Sequence, residues 1–87
     1  MTQDPESFTS KEWIAVTGGS DFSGILVNKG LYPFEVFVNS KLGGAPSASK
    51  QGYVMNKGKE LPLNIPPTEQ LYRRAFGSDF PATMQLI

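Results

Sequence analysis

The sequence predicts an all-β fold: a small antiparallel β-sandwich of about six or seven short strands, with an extended N-terminal arm over residues 1–11 and a single domain over 12–87. Three observations carry that expectation. The 87 residues include nine glycines and seven prolines, which suits strands joined by loops better than a helical bundle. Apolar and polar residues alternate in short runs instead of forming a 3.6-residue stripe. Turn signals separate those runs at a spacing of about eight to twelve residues, as in a sandwich or barrel.

Taken in order, residues 1–11 lack periodicity and contain Asp4-Pro5 among several hydroxyl residues. Phe8 is the isolated aromatic of this arm and docks either into another chain's groove or back onto its own domain. EWIAVT (12–17) is the first strand, with Trp13, Ala15 and Thr17 on one face and Ile14 and Val16 on the other. GGSD (18–21) is a turn, since glycine permits positive φ. GILVNKG (24–30) is a strand ending in Asn-Lys-Gly, and NKGLYP is short enough to be a hairpin connection. PFEVFVNS (33–40) alternates most clearly, setting Phe34, Val36 and Val38 against Glu35, Phe37 and Asn39.

The small, polar, Gly-rich stretch 41–52 reads as a long mobile loop. YVMNKG (53–58) repeats the Asn-Lys-Gly ending, as a second similar corner or by coincidence. In KELPLNI (59–65), Leu61, Leu63 and Ile65 face inward. Pro62 cannot donate a ladder hydrogen bond, which places this strand at a sheet edge. ATMQLI (82–87) is the final strand, completing a hairpin with the segment before it.

EQLYRRAFG (69–77) fits two local structures. As a helix it has Thr68 as N-cap, Gly77 at its C-terminal end and a Glu69–Arg73 i,i+4 pair. It would then have only about two turns, short of the ~12–15 residues an isolated helix needs. As a strand it sets Leu71, Arg73 and Ala75 on one face and Tyr72, Arg74 and Phe76 on the other. The strand spacing of the surrounding chain favours the second reading. The core-facing arginine then requires an acid such as Glu35 or Glu60. The outward one is left for a neighbouring subunit or for solvent.

Composition narrows function. Without histidine or cysteine, the usual general base near neutral pH and the thiolate nucleophile are missing. The acids fall mostly in turns or on outward strand faces, so the chain reads as non-enzymatic, with no cofactor or metal site expected. Eight basic and eight acidic residues cancel, unlike the basic excess of a duplex-DNA binder. The polar, acidic start differs from a secretion signal, and no apolar run reaches the ~20 residues of a membrane span. The chain is expected to be made in the cytoplasm and to stay there, or to leave by a route other than secretion.

The order of an aliphatic strand ending in Asn-x-Gly, an aromatic-aliphatic strand, a Gly/Ala/Pro/Ser loop, GKELPLNIPP and LYRRAFGSDFPATMQLI resembles small β-sandwich structural proteins of tailed bacteriophage virions. The likeness covers residues 24–87, and RRAFGSDFP departs from the simplest pattern by a second arginine and a longer turn. It implies a strand at 70–76 and a non-enzymatic role in head decoration or at head–tail junctions. Partners would be capsid, portal or tail proteins, with the chain present in several symmetry-related copies. Phe8, Trp13 and Arg74 are the candidate partner contacts. Two other expectations are an OB-like module stacking single-stranded nucleic acid on Trp13, Tyr32, Phe37, Tyr53 and Tyr72, and a carbohydrate-binding sandwich using Tyr32 and Tyr53.

Overall fold

Side-chain alternation sorts the chain into eight strands. The computed structural model describes residues 3–87. Within them lie β1 (Glu6–Phe8), β2 (Ile14–Ala15), β3 (Phe22–Asn28), β4 (Phe34–Ser40), β5 (Tyr53–Met55), β6 (Glu60–Ile65), β7 (Glu69–Ala75) and β8 (Ala82–Leu86). No helix occurs among the described residues, so residues 69–75 are a strand. Two four-stranded antiparallel sheets result, with orders β1-β8-β3-β6 and β2-β7-β4-β5.

The buried faces of the two sheets share one core. In β4 the inward residues are Phe34, Val36 and Val38, opposite Ala75, Arg73 and Leu71 of β7. From the first sheet, Leu61, Leu63 and Ile65 of β6 sit opposite Leu26, Gly24 and Phe22 of β3. Leu26, Phe34, Met55, Leu71, Met84 and Leu86 are the largest fully buried side chains, each worth about 1.5–3 kcal/mol of transfer free energy. β6 is an edge strand, which spares Pro62 a ladder bond it cannot make.

Several expectations need correction. Residues 1–11 are not an extended arm throughout: Glu6–Phe8 pair with Thr83 and its neighbours in β8, and Phe8 is buried in the core. Residues 1 and 2 of that arm lie outside the described residues. Counting β1, the described residues form eight strands instead of about six or seven. The first domain strand shrinks to Ile14–Ala15, although Val16 still enters the core and its N–H donates to Leu71 O.

The two proposed hairpins are absent. β3 and β4 lie in different sheets, as do β7 and β8, and only β4 and β5 are consecutive strands of one sheet. Short turns here carry the chain across the core, not back along the same sheet. The two Asn-Lys-Gly corners also differ, because Gly58 has φ +75° and Gly30 is not in the positive-φ region.

Two polar residues tie the sheets together from inside. Asn28, buried at the end of β3, donates through Nδ2 to the carbonyls of Tyr32 and Met55 (3.0 and 2.8 Å) and accepts from Gly30 N–H. It therefore links the first sheet to β5 in the second. Arg73 points inward from β7 and donates through Nη2 to Glu6 of β1, with its guanidinium 4.1 Å from the Phe8 ring centre. The Phe8 ring in turn meets Phe34 edge to face at 5.3 Å. The core-facing arginine is thus partnered by Glu6, not by Glu35 or Glu60, because β1 adds an inward-facing acid that an extended arm outside the sheets would not supply.

Asn28→Ala removes all three of its side-chain bonds, including the one that joins the end of β3 to the Met55 carbonyl of the second sheet. The expected loss is about 1–3 kcal/mol, read as a lower urea midpoint with an unchanged slope. Glu6→Gln leaves the Arg73 charge buried without its counter-ion. Because the Glu6 side chain is 36% exposed, solvent screens part of the effect, and the expected loss is about 1–3 kcal/mol. The double change Glu6→Leu with Arg73→Met is expected to match or exceed the parent in the same titration, since apolar pairs often replace buried ion pairs without loss.

Candidate functional site

Directly behind Arg73, Arg74 points to the outer face of the second sheet. Its cross-strand neighbour is Glu35 of β4, and the side chains form an ion pair with Nε 2.9 Å from Glu35 Oε1. Arg74 Nη1 donates to the Ala48 carbonyl (2.7 Å) and Nη2 to the Lys50 carbonyl (2.8 Å). Three of the five guanidinium N–H donors are therefore bonded within the chain. Glu35 completes the arrangement by accepting from Gly52 N–H at 2.9 Å. The pair grips both backbone carbonyls and a backbone amide of the 41–52 loop.

The loop is consequently tethered, not free. Its early part is held by Lys41 N–H to Thr68 O and by Asn39 Nδ2 to Gly44 O. Its later part is drawn over the outer aromatic residues. Trp13 stacks on the Arg74 guanidinium at 4.4 Å and lies 6.3 Å from Phe37. Lys50 Nζ sits 4.9 Å from the Phe37 ring centre. The fit at Gly52 is tight, because a Cβ there would come within 2.6 Å of both Trp13 Cη2 and the Val36 carbonyl. A cleft of about 330 Å³ beside Arg74 is bounded by Lys11, Glu35, Ala48 and Phe76.

These placements redistribute the candidate contacts. Phe8 belongs to the core of its own chain, and Trp13 is only 8% exposed beneath the loop. Arg74 is largely occupied by its own chain instead of being left for a neighbour. The stacking residues do not form one open platform either: Trp13 and Tyr72 are buried, while Tyr32 and Tyr53 are exposed on different elements. Two four-stranded sheets also differ from the five-stranded barrel of an OB fold. Among the described residues, no group of three or more His, Cys, Asp or Glu is placed to hold a metal ion. Among the same residues no helix is long and apolar enough to cross a membrane.

Apolar surface collects instead at one end of the molecule. Tyr32, Pro33, Phe76 and Phe80 line an open groove of about 350 Å³, with Tyr32 and Phe80 edge to face at 5.6 Å. Leu31 beside them is 70% exposed. Sequence reasoning named Tyr32 but not its neighbours, because Phe76 and Phe80 read there as ordinary strand and turn residues. No family model, curated protein or solved structure matches the chain.

Arg74→Lys keeps the charge but loses the planar fork that reaches two carbonyls at once. Arg74→Ala loses both. Each is expected to release the loop, seen as faster tryptic cleavage after Lys50 together with red-shifted, more acrylamide-accessible emission from Trp13, the sole tryptophan. Unchanged cleavage and emission in both variants would show that the fork does not hold the loop.

Proposed function

We propose that this chain is a non-enzymatic structural protein of a tailed-phage virion, a head-decoration or head–tail junction component. On this reading it is present in several symmetry-related copies and bound to capsid, portal or tail proteins. One observation carries the proposal: the strand order. Facing sheets ordered β1-β8-β3-β6 and β2-β7-β4-β5 have the connectivity of an eight-stranded jelly-roll sandwich, an architecture used by viral capsid and lectin domains. The resemblance over residues 24–87 points to the same class of protein as this likeness of connectivity. Function itself lies in surfaces, not in connectivity.

The surface favours protein contact within that class. The groove at Tyr32, Pro33, Phe76 and Phe80 is almost wholly apolar, as the centre of a protein interface is. A sugar site needs several placed polar groups beside its aromatic residues, and here the Tyr32 hydroxyl is the only polar side-chain group among the lining residues. The contact mode differs from an arm docking into a neighbour, since β1 already lies in its own sheet. Attachment runs instead through the apolar end and an open sheet edge, with a total buried area above about 1,000 Å² for a stable contact.

Mass spectrometry of density-banded phage particles, released by cells carrying this gene, is expected to find the chain at a copy number set by particle symmetry. Phe80→Asp, at a 45% exposed position, is expected to reduce its incorporation at least tenfold while the chain still folds cooperatively, its melting temperature lowered only by the loss of the contact with Tyr32. A chain abundant in the lysate but missing from the banded particles would sink the proposal.

A further inference from the structure

The second sheet is incomplete along one side. β4 has seven residues, yet β5 pairs only with Phe34, Glu35 and Val36. Beyond Val36, residues 37–40 have β7 on one side and no described strand on the other, with only the Ser40 carbonyl already taken by Gly43 N–H of the following turn. The chain that could have continued β5 along this edge is instead pulled onto the outer face, where Arg74 holds the carbonyls of Ala48 and Lys50 and Glu35 holds Gly52. The Arg74–Glu35 latch thus covers the outer aromatic residues and leaves the edge of β4 open.

Beneath that edge the core is uncovered. Between β4 and the edge strand β6 lies an apolar groove of about 520 Å³ whose walls include Val36, Val38, Leu61, Leu63 and Leu71. Leu61, Leu63 and Val38 are only partly buried, and Tyr53 at its mouth is 47% exposed. A strand laid beside residues 37–40 would continue the sheet. Its alternate side chains would drop into this groove and the others would face outward.

Charge decides which strand fits. Lys50 Nζ stands over Phe37 on the outer side of the edge and Lys59 Nζ over Tyr53 at the mouth of the groove. Lysines along a sheet edge deter pairing between identical copies. The same two charges favour an incoming strand that carries carboxylates.

We propose that the open edge of β4 at residues 37–40, together with the groove above Leu61 and Leu63, is an acceptor site for a short extended segment of another protein. That segment is apolar at alternate positions and bears carboxylates on its outward side. The identification of its owner as another virion protein rests on the reading given above; the site itself rests on the sheet geometry and the two lysines.

The test uses the full chain, ¹⁵N-labelled, and two capped eight-residue peptides, one alternating valine with glutamate and one alternating valine with lysine. The Val/Glu peptide is expected to shift the amides of residues 37–40, Leu61 and Leu63 saturably, and to bind at least tenfold more tightly than Val/Lys. Lys50→Glu with Lys59→Glu inverts two exposed charges, at the cost of their contacts with the Phe37 and Tyr53 rings, and is expected to reverse that preference with the melting temperature checked alongside. N-methylating alternate valines of the Val/Glu peptide is expected to abolish binding, because the ladder bonds are lost.

Absence of shifts at 37–40 up to millimolar peptide would overturn the site, as would equal binding of both peptides. Concentration-dependent broadening at 37–40 without peptide would overturn it in favour of a second copy of this chain. Particle composition is read separately. A chain found in virions that ignores the peptides sinks only this site, and a peptide-binding chain missing from particles sinks only the virion assignment.

Discussion

Two arginines in succession on a strand must point to opposite faces, and most of this molecule's organisation follows from how each finds a partner. A charged guanidinium turned into an apolar core is expensive unless an acid meets it there. Glu6 meets Arg73 only because the N-terminal segment has become a strand and turned its alternate residues inward. Arg74, one residue on, faces outward, and Glu35 lies directly across the ladder from it. One dipeptide therefore fastens the first sheet to the second on the inside and fastens the long loop to the second sheet on the outside.

The outer faces of the two sheets consequently differ. The first is faced largely with polar residues such as Ser7, Thr83 and Gln85, with Ser7 and Thr83 hydrogen-bonded to each other. The second has Trp13, Tyr72 and Phe37, which a thin domain cannot leave bare. The loop serves as a third layer over Trp13 and Phe37. Held by backbone acceptors, it covers the ring system with few large side chains of its own. Drawing the loop to that face is also what leaves the neighbouring sheet edge bare.

How much of this was readable in the sequence depended on the range of the signal. Alternation over 33–40 and 59–65 set the inward residues correctly, and Pro62 marked an edge strand, because each pattern is local and long enough to be unambiguous. The strand at 69–75 was recoverable from the rhythm of its surroundings despite helical caps at both ends. β1 escaped notice because three residues hold too little periodicity, and what makes them a strand is β8, at the other end of the described chain. The supposed hairpins failed for a related reason: a glycine-containing corner shows that the chain turns but not which sheet it joins next. The loop looked free because its tethers end on carbonyls of Ala48 and Lys50, and a backbone acceptor leaves no trace in residue identity. Phe76 and Phe80 became part of one apolar end only through the approach of Tyr32 and Pro33 from a distant turn.

The position of β8 between β1 and β3 has a consequence for biosynthesis. During translation β1 emerges first yet has no ladder neighbour until residues 82–86 have cleared the ribosomal exit tunnel. Until then Phe8 has no finished core to enter, and Glu6 and Arg73 cannot be brought together by the completed first sheet. Closure of this domain therefore waits for its last strand, and until that strand has emerged the apolar residues of the nascent chain stay accessible to a chaperone.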